Sequence, residues 1–558
     1  MKKILITISF LILIFCLNAE DLKLDVMFTN DVHGGIDRYP ATFMNPQFPP
    51  MLGGGGVAAT YIKSVRQKSD KTRDNLLIDA GDFFQGHPIG TMSQGDYIIE
   101  YYNMISYDLM VIGNHEYDIG EEALLKTLQK AEFPILSCNI VRKGTDQLVD
   151  YVEPYIILKK MGVKIGVIGV TTTDTEQMSF PEHIKNVEFL SAKEQVEKYV
   201  KILREKEKVD LVFVVGHMGL PYEPQPVYEK RYNSGEERDE ERRWGYDAQE
   251  IAHEVEGIDV LFGGHMHKGF NEPWEDPVTH TLVFQGYAYG SNVGHVTLNI
   301  DSETKTLSGY ELPSIRNGAL VTLFEDEFIP DPAIADTIAA MQAIAEEGMD
   351  EVIGEAAVYL SRSGNGPQNV IGNLVCEAML DYTEADFAFL NLGGIRADIK
   401  EGPITYRDVF NVMPFDNQVV MMEVEGQFLK DIIEMRVSGS RHGLRVAGVK
   451  VVVNRSRENY DRVSELIIGG EPWQADTIYK VATTDFLLQG NAGLVMLTKV
   501  PEEKITRYEQ DLRDAIVEFI KKESPVSTQI DDRWVRDDKS EKTQNTIIQM
   551  RKKDKIFK

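Results

Sequence analysis

Short apolar segments rich in β-branched residues recur between Leu24 and Ile300 of this 558-residue chain, and most of them end in small or polar side chains. Helical patterns such as EEALLKTLQKA and SAKEQVEKYVKILREK lie between several of them. Strands that alternate with helices predict an α/β fold with helices outside the sheets. The later segments HTLVFQG and HVTLNID have no helix between them, so part of the sheet is predicted to be antiparallel. The earlier segments are LDVMF, NLLIDA, DLMVI, KIGVIGV, DLVFVV and DVLF.

The chain is too long for one hydrophobic core, so more than one domain is expected. A helix-like segment, DPAIADTIAAMQAIAEEGM, follows Pro330 and is predicted to connect two domains. The predicted division is a signal peptide at 1–19, an α/β domain at 20–328, a helical connector at 329–350, an α+β domain at 351–536 and a basic tail at 537–558.

The first residues have the features of a secretory signal. Lys2 and Lys3 precede the apolar run ILITISFLILIFCL, and the small residue Ala19 follows it. Export to a periplasm or to the outside of the cell is therefore expected, without stable membrane insertion once the signal is removed. An uncleaved anchor is the alternative, and bulky Phe15 disfavours lipid attachment at Cys16.

Net charge and cysteine content exclude some functions. The formal net charge is −29, so the chain repels nucleic-acid backbones and anionic membranes, and a partner that is a nucleic-acid polymer is not expected. After signal removal only Cys138 and Cys376 remain, without metal-ligand spacing, and two buried free thiols are expected.

Side chains that commonly bind metals follow five of the predicted strands. Carboxylate, amide and imidazole groups together suit divalent cations, and the carboxyl ends of neighbouring strands converge in space. A single histidine in such a place is usually structural, but five of the eleven histidines occupy these positions together with two aspartates and an asparagine. The pattern predicts a site for two divalent ions, without distinguishing Zn, Mn, Co and Ca. The residues are Asp31, His33, Asp82, Asn114, His115, His217, His265 and His267.

The ligands divide between two ions if Asp82 bridges them at a spacing of about 3.5–4 Å. In this division, the remaining ligands of one ion are Asp31, His33 and His267, and those of the other ion are Asn114, His217 and His265.

His115 is left over and is predicted to be catalytic, touching a substrate oxygen as charge develops. Two roles are predicted for Asp118, and they are compatible. It orients His115, and it is the N-cap of a helix, with Glu121 three residues later. Glu116 is interpreted as a neighbour of the ligands or a solvent-facing group.

Five motifs in the first half resemble those of the metallophosphoesterases: FTNDVHG, DAGDFFQGHPIG, GNHEYD, GHMG and GGHMH. Their order resembles the exported 5′-nucleotidase and UDP-sugar hydrolase family, and GNL, NLGGIR, MPFDN and TTDFLLQGNAG in the second half support that resemblance. It implies a four-layer α/β/β/α metallophosphatase domain followed by an α+β 5′-nucleotidase C-terminal domain. The latter would bind the substrate and swing onto the metals about the helical connector.

The resemblance also implies a set of substrate-binding side chains in the second half. Two phenylalanines would sandwich a base, for which aromatic faces are suited, and an arginine would contact the phosphate. The set is Phe415 and Phe486 for the sandwich, Asn391 for a base contact, Arg396 for the phosphate, and Arg362 and Asn417 as further members.

The chain departs from the family pattern at some of these positions. Ala492 stands where the family has the aspartate expected to hold the ribose hydroxyls, and Val370 stands where it has an asparagine. Leu392 and Asp416 replace glycines. These departures concern the substrate and leave the metal ligands complete.

The resemblance and the ligand pattern together predict an exported dinuclear-metal phosphoesterase that hydrolyses nucleotides to nucleoside and phosphate. Alternatives within this enzyme class are a 2′,3′-cyclic-nucleotide phosphodiesterase, a UDP-sugar hydrolase and a thiosulfohydrolase-like enzyme. A non-catalytic nucleotide-binding protein is the alternative from another class, and the complete ligand set argues against it because a binder needs neither two metals nor a spare histidine.

Overall fold

The computed structural model describes residues 21–41, 44–45, 48–233, 245–365, 367–438 and 443–537. The predicted signal peptide and, apart from Asp537, the predicted basic tail lie outside these residues. Within this part of the chain, no helix combines the length and the apolar character needed to cross a membrane. Cys138 and Cys376 are buried free thiols, as predicted.

The first part of the chain alternates strands and helices in the predicted way. Its strands are β1 Leu22–Thr29, β2 Tyr39–Pro40, β3 Met51–Leu52, β4 Arg73–Asp79, β5 Leu109–Val111, β6 Ile135–Leu136, β7 Ile140–Arg142, β8 Tyr155–Lys160, β9 Val163–Thr171, β10 Val187–Phe189, β11 Leu211–His217, β12 Val260–Gly263, β13 Trp274–Glu275, β14 Leu282–Gln285, β15 Asn292–Ile300, β16 Leu307–Glu311 and β17 Leu320–Thr322. Its helices are α1 Gly54–Arg66, α2 Pro88–Met92, α3 Asp96–Met104, α4 Glu121–Leu128, α5 Thr175–Met178, α6 Ala192–Lys201, α7 Pro224–Tyr228 and α8 Ala248–Glu254.

Two sheets form the centre of this part. One has the order β16-β15-β1-β4-β5-β6, with β17 paired to β15, and the other has the order β13-β14-β12-β11-β9-β8. Strands β1, β4, β5 and β6 are parallel, as are β9, β11, β12 and β14, whereas β15 runs antiparallel to β1. The predicted antiparallel element is therefore present, with β14 and β15 in different sheets.

Alternate side chains of a strand face opposite sides of its sheet, and β1 shows how this builds the layers. Val26 and Phe28 pack into the core between the two sheets. Met27 packs on the other side, in a core that the first sheet shares with α1, α3 and α4. A third core joins the second sheet to α6 and α8. The result is the four-layer α/β/β/α arrangement that the motifs implied.

Helix α9, Pro332–Ala345, forms in the predicted connector. It begins after Asp331, whose side chain accepts a hydrogen bond from Ala333 N at 3.1 Å, and proline at the first helical position suits a helix start. Ile338 and Met341 pack into the core of the first sheet and its helices. The connector helix is therefore attached to the first domain.

The second part of the chain has a core of its own, which runs from Ile353 to Trp534. Its larger sheets have the orders β24-β21-β28-β23-β29 and β27-β26-β25-β30, so this is an α+β domain. The strands are β18 Val352–Ala356, β19 Gly364–Asn365, β20 Gln368–Asn369, β21 Phe387–Leu390, β22 Gly402–Thr405, β23 Gln418–Glu425, β24 Arg445–Ala447, β25 Val449–Val453, β26 Val463–Ile468, β27 Glu471–Pro472, β28 Ile478–Thr484, β29 Ile505–Asp511 and β30 Trp534–Arg536, and the helices are α10 Val370–Thr383, α11 Tyr406–Val412, α12 Gly426–Val437, α13 Asp485–Leu488 and α14 Leu512–Glu523.

Candidate metal centre and substrate cleft

The candidate metal ligands lie at one edge of the two sheets, just beyond the ends of parallel strands. This placement follows from the topology, because parallel strands in one sheet present their carboxyl ends at the same edge. Strand β1 leads to Asp31 and His33, β4 to Asp82, β5 to Asn114 and His115, and β12 to His265 and His267, while β11 ends at His217.

Two groups of ligands share one carboxylate, that of Asp82. Within each group the candidate ligand atoms lie within 4.8 Å of one another. Among them, His33 Nε2 and His267 Nε2 are 2.9 Å apart. The first group is Asp31, His33, Asp82 and His267, and the second is Asp82, His217 and His265.

Unpaired buried atoms show that these residues fit a cation. Asn114 is 1% exposed, and its Oδ1 has no hydrogen-bond partner. His217 Nε2 lies 2.9 Å from Asp82 Oδ2 but lacks the alignment of a hydrogen bond. Leaving a buried polar atom unpaired costs about 1–3 kcal/mol, so such atoms are rare unless they serve a ligand. An amide oxygen, an imidazole nitrogen and a carboxylate form the donor set that a divalent cation requires.

Five of the seven candidate ligands have a left-handed backbone conformation, which residues other than glycine rarely adopt. Their φ angles lie between 48° and 73°. Each such conformation costs on the order of 1–3 kcal/mol and persists where the surrounding structure imposes it. The concentration of this strain at one edge of the sheets marks these loops as a functional site. The five residues are Asp31, His33, Asp82, His265 and His267.

Backbone carbonyls orient two of the imidazoles. His33 Nδ1 donates to Gln85 O at 2.5 Å, and His217 Nδ1 donates to Ala80 O at 2.8 Å. Because a carbonyl oxygen can only accept, the proton is on Nδ1 in each ring, and Nε2 is left to bind a cation.

The charges of the site favour neutral imidazoles at two positions. Burial, together with His267, lowers the pKa of His33 well below its usual value, and burial lowers the pKa of His265 to about 4. Both rings are therefore neutral near pH 7, as metal ligands must be. For His217, burial lowers the pKa, but the effect of Asp82 is in the opposite direction and the pKa is raised to about 10. A cation that binds His217 therefore competes with a proton.

His115 lies beside the ligands without belonging to either group. Its ring centroid is 5.2 Å from that of His33, and its Nδ1 donates to Asp118 Oδ2 at 2.5 Å. Burial lowers the pKa of His115, but Asp118 and Asp82 more than offset burial and raise the pKa to about 9. The imidazole is therefore protonated near pH 7 and able to donate from Nε2 to an anion.

The capping role predicted for Asp118 is wrong. Helix α4 begins at Glu121, and its N-cap is Gly120, with no side chain accepting a hydrogen bond there. Gly120 has a φ of 84°, a conformation that glycine adopts without steric cost, and it turns the chain into the helix. Asp118 lies in the preceding turn, where its carboxylate pairs with His115.

Glu116, which was expected to be either a neighbour of the ligands or a solvent-facing group, is a buried neighbour of the ligands. It is completely buried and joins two ligand loops, accepting from the backbone N–H groups of Asp82 at 3.0 Å, Phe83 at 2.9 Å and Gly113 at 2.6 Å. Burial, reinforced by the charge of Asp82, raises the pKa of Glu116 to about 8. No local signal indicates this role, because two of the three donors lie more than 30 residues away in the chain.

Tyr289 is a residue near the site that the sequence analysis missed. Its φ of 60° is unusual for a bulky side chain, and its ring centroid lies 5.4 Å from those of both His33 and His267. Its backbone N–H donates to Asp31 O at 2.8 Å. Tyr289 therefore packs against the first ligand group from the loop that precedes β15.

Aromatic residues of the second domain contact the first domain, and one of them, Phe415, lies beside the candidate centre. The Phe415 ring is nearly parallel to that of His115, with 6.0 Å between centroids and 17° between planes. The guanidinium carbon of Arg396 is 5.4 Å from the Phe415 ring centroid. Phe486 lies edge-on to Phe180 of the first domain, at 6.1 Å. A cationic and aromatic wall therefore stands next to the candidate ligands.

The other predicted substrate residues lie around this wall. Arg362 contacts the carbonyl oxygen of Arg396, and its Nε lies 3.5 Å from Asp398. Asn391 and Asn417 are half-buried, and Asn391 precedes the short turn that leads to Arg396. Among the contacts of the described residues, none joins Arg362, Asn391 or Asn417 to the candidate metal ligands.

The turn that contains Ala492 lies beside helix α5 of the first domain. Ala492 has a φ of 52°, and its carbonyl oxygen accepts from Arg436 Nη1 at 2.6 Å. Asn491 is 5% exposed, and its Nδ2 has no hydrogen-bond partner. The position at which the resemblance implies a carboxylate is therefore occupied by a methyl group on a constrained turn.

Comparison with known families assigns both domains. Residues 24–269 match the family model described as calcineurin-like phosphoesterase, and residues 352–499 match the model described as 5′-nucleotidase, C-terminal domain.

Individual relatives agree with these matches. The chain is 29% identical to a 5′-nucleotidase of Vibrio cholerae over 516 residues, covering 86% of this chain and 87% of the relative. It is 27% identical to Endonuclease YhcR of Bacillus subtilis over 527 residues, covering 90% of this chain but only 40% of that relative. The crystal structure of a 5′-nucleotidase precursor from Thermus thermophilus shares the fold, with a TM-score of 0.77, 24% identity, and coverage of 92% of this chain and 99% of that chain.

The fold and the ligand cluster define a metal-dependent phosphoester hydrolase, whose family binds divalent cations. The two family models together cover well over half of the chain. The chain belongs to the calcineurin-like phosphoesterases that carry a 5′-nucleotidase C-terminal domain, and it is a 5′-nucleotidase-like enzyme.

Proposed function

We propose that this protein is an exported hydrolase that cleaves nucleoside 5′-monophosphates to nucleoside and phosphate with two divalent ions. One observation carries the proposal: the aromatic and cationic wall of Phe415 and Arg396 stands beside His115 and the ligands around Asp82. A phosphate at the ligands and a base at the wall is the arrangement that a nucleotide requires. Residues 20–328 then form the catalytic domain, 351–536 the substrate-binding domain and 329–350 the hinge. Export rests on the signal-like residues 1–19.

Each ligand group would hold one ion in this proposal, and both ions would share Asp82. Two divalent ions in such a site supply Lewis-acid activation of the phosphoryl group and a water molecule of lowered pKa. The first ion is assigned to Asp31, His33 and His267, and the second to Asn114, His217 and His265.

His115 is assigned to the phosphoryl oxygens. With Nδ1 bound to Asp118, its Nε2 proton is the one available to an anion, and the pKa of about 9 keeps that proton in place near pH 7. Such a donor stabilises the negative charge that develops in the transition state.

Substrate screening tests the proposal. The protein without residues 1–19 is assayed for phosphate release from nucleoside monophosphates, cyclic nucleotides and UDP-sugars, with Mn, Zn, Co and Ca each supplied in turn. The highest kcat/KM is expected with a nucleoside 5′-monophosphate. A preference for a cyclic nucleotide or a UDP-sugar would show that this compound, and not a nucleoside 5′-monophosphate, is the substrate. Tight nucleotide binding without phosphate release would show that the protein is a non-catalytic binding protein.

The base sandwich leads to a prediction about substrate size. Phe415→Ala and Phe486→Ala should each lower kcat/KM for a nucleotide by an amount that corresponds to about 1–3 kcal/mol of binding free energy. This is the stacking energy that a base loses when the aromatic ring beneath it is removed. Hydrolysis of a small aryl phosphate, which has no base to stack, should be retained. Phe48→Ala is the control, because Phe48 is 83% exposed. Equal losses on both substrates would mean that the two rings serve only packing.

The methyl group at position 492 leads to a prediction about the sugar. A carboxylate can accept from both hydroxyls of a ribose, each charge-assisted bond contributing about 1.5–3 kcal/mol, and alanine accepts from neither. The enzyme should therefore discriminate weakly between ribonucleotides and 2′-deoxyribonucleotides. Ala492→Asp should raise kcat/KM more for the ribonucleotide, and the left-handed φ of 52° is one that aspartate tolerates well.

The uncharged variant Ala492→Asn is the control for this prediction and should give a smaller gain. A preference of the unmodified enzyme for ribose of about a hundredfold or more would show that another residue holds the two hydroxyls.

A further inference from the structure

Gln85 joins the candidate metal centre to the second domain through two different groups. Its backbone carbonyl accepts from Nδ1 of the candidate ligand His33 at 2.5 Å. Its side-chain Nε2 donates to the carbonyl oxygen of Pro414, in the second domain, at 2.9 Å. Gln85 is 4% exposed, so this hydrogen bond between the domains is buried.

The orientation of the Gln85 amide follows from its surroundings. The carbonyl oxygen of Pro414 can only accept, so the NH₂ group of Gln85 must face it. Gln85 Oε1 then has no partner within the described residues. A buried amide that leaves one atom unpaired sacrifices stability, which indicates that the donated bond serves the arrangement of the two domains.

The peptide group that Gln85 holds is the one that leads into Phe415. The carbonyl of Pro414 and the nitrogen of Phe415 lie in one rigid plane, so a bond to the former restricts the direction in which the latter leaves. The Phe415 ring stacks on His115 at 6.0 Å and lies 5.4 Å from the guanidinium carbon of Arg396. Gln85 therefore bonds to the peptide that sets the position of this ring.

We propose that Gln85 is a positioning residue, which keeps the base-stacking face of Phe415 in register with the metal ligand His33. The role rests on the proposed nucleotide function. It concerns only substrates that use both places at once, namely those with a phosphate at the ligands and a base on Phe415. A substrate without a base does not need this register.

Two variants test the proposal. Gln85→Glu keeps the shape but cannot donate to Pro414, and Gln85→Met removes the donor without adding charge. Both keep the backbone carbonyl that orients His33, so bound metal, measured by elemental analysis, should stay at the level of the unmodified enzyme. The exposed change Gln67→Glu is the matched control.

In steady-state assays, kcat/KM for a nucleoside monophosphate should fall about 5- to 100-fold in both variants, the effect of removing one partner of a buried hydrogen bond. Hydrolysis of a small aryl phosphate should stay within the scatter of the control. In the Phe415→Ala background, Gln85→Met should cause no further loss on the nucleotide, because Gln85 acts through that ring.

Other results would overturn this role. An unchanged ratio of nucleotide to aryl phosphate activity would show that Gln85 does not position Phe415, and parallel loss of metal and of both activities would place its effect on the ligand loop alone. Additive losses in the double variant would also contradict it. An unmodified enzyme that cleaves the aryl phosphate but no nucleotide would overturn the proposed function and this role together.

Discussion

Replacing Asp82 by alanine is expected to remove both of the proposed metal ions and to abolish phosphate release together. Among the described residues, its carboxylate is the one that belongs to both ligand groups. Oδ2 lies 2.9 Å from His217 Nε2 in the second group and 3.8 Å from His33 Nε2 in the first. Without it, each proposed ion would lose negative charge and one of its ligands, and the remaining imidazoles would repel one another when protonated. Elemental analysis of the purified variant, together with a phosphate-release assay, measures both effects.

Asp79→Asn is the control for this experiment. Asp79 is a buried carboxylate three residues earlier, but it accepts from Thr29 Oγ1 at 2.6 Å and Tyr102 Oη at 3.0 Å and belongs to neither ligand group. Burial raises the pKa of Asp79 to about 7, so a neutral amide is a mild change. This variant should keep its metal. Two ions per chain in Asp82→Ala would contradict the assignment of a shared carboxylate.

Replacing His115 by alanine is expected to leave both proposed ions in place and to lower kcat by about 10²- to 10⁴-fold, the usual contribution of one acid–base group. The imidazole is absent from both ligand groups, but it is held by Asp118 and stacked on Phe415 beside them. In its proposed role, the loss of His115 removes a proton donor to the phosphoryl oxygens without removing a candidate ligand. Metal content and kcat are measured on the same preparation.

Asp118→Asn separates orientation from chemistry in the same assay. The amide keeps the size of the carboxylate but removes the charge that raises the pKa of His115, so kcat should fall by less than in His115→Ala. Loss of a metal ion from His115→Ala would make this histidine a ligand. Unchanged turnover would give it no role in the reaction.

Much of the first domain could be predicted from local patterns. Apolar runs such as KIGVIGV and DLVFVV became the buried strands β9 and β11, and the helical connector formed as α9. These elements depend on side-chain periodicity and on residues next to each other in the chain. The candidate ligands were predicted in the same way, because a polar residue just beyond a parallel strand is brought to the edge of the sheet by the strand itself.

Local patterns failed where competing local signals were equal. Asp118 followed by Glu121 looks like a capping pair, but Gly120 lies between them and turns the chain into the helix. Asp118 therefore does not cap the helix, and its carboxylate accepts a hydrogen bond from His115 instead. Sequence spacing alone does not distinguish the two outcomes, because both place a carboxylate before a helix.

The sequence by itself determined the chemistry available to this protein. It fixes which strands end in carboxylates, amides and imidazoles, and these are groups that bind divalent cations. The tertiary structure alone decided which partners those groups have. Glu116 reaches the backbone of Asp82 across 34 residues, and Gln85 reaches Pro414 across 329 residues. Such contacts carry no local signature, since a hydrogen bond depends on distance and direction in space, and only packing of the sheets and of the two domains sets these.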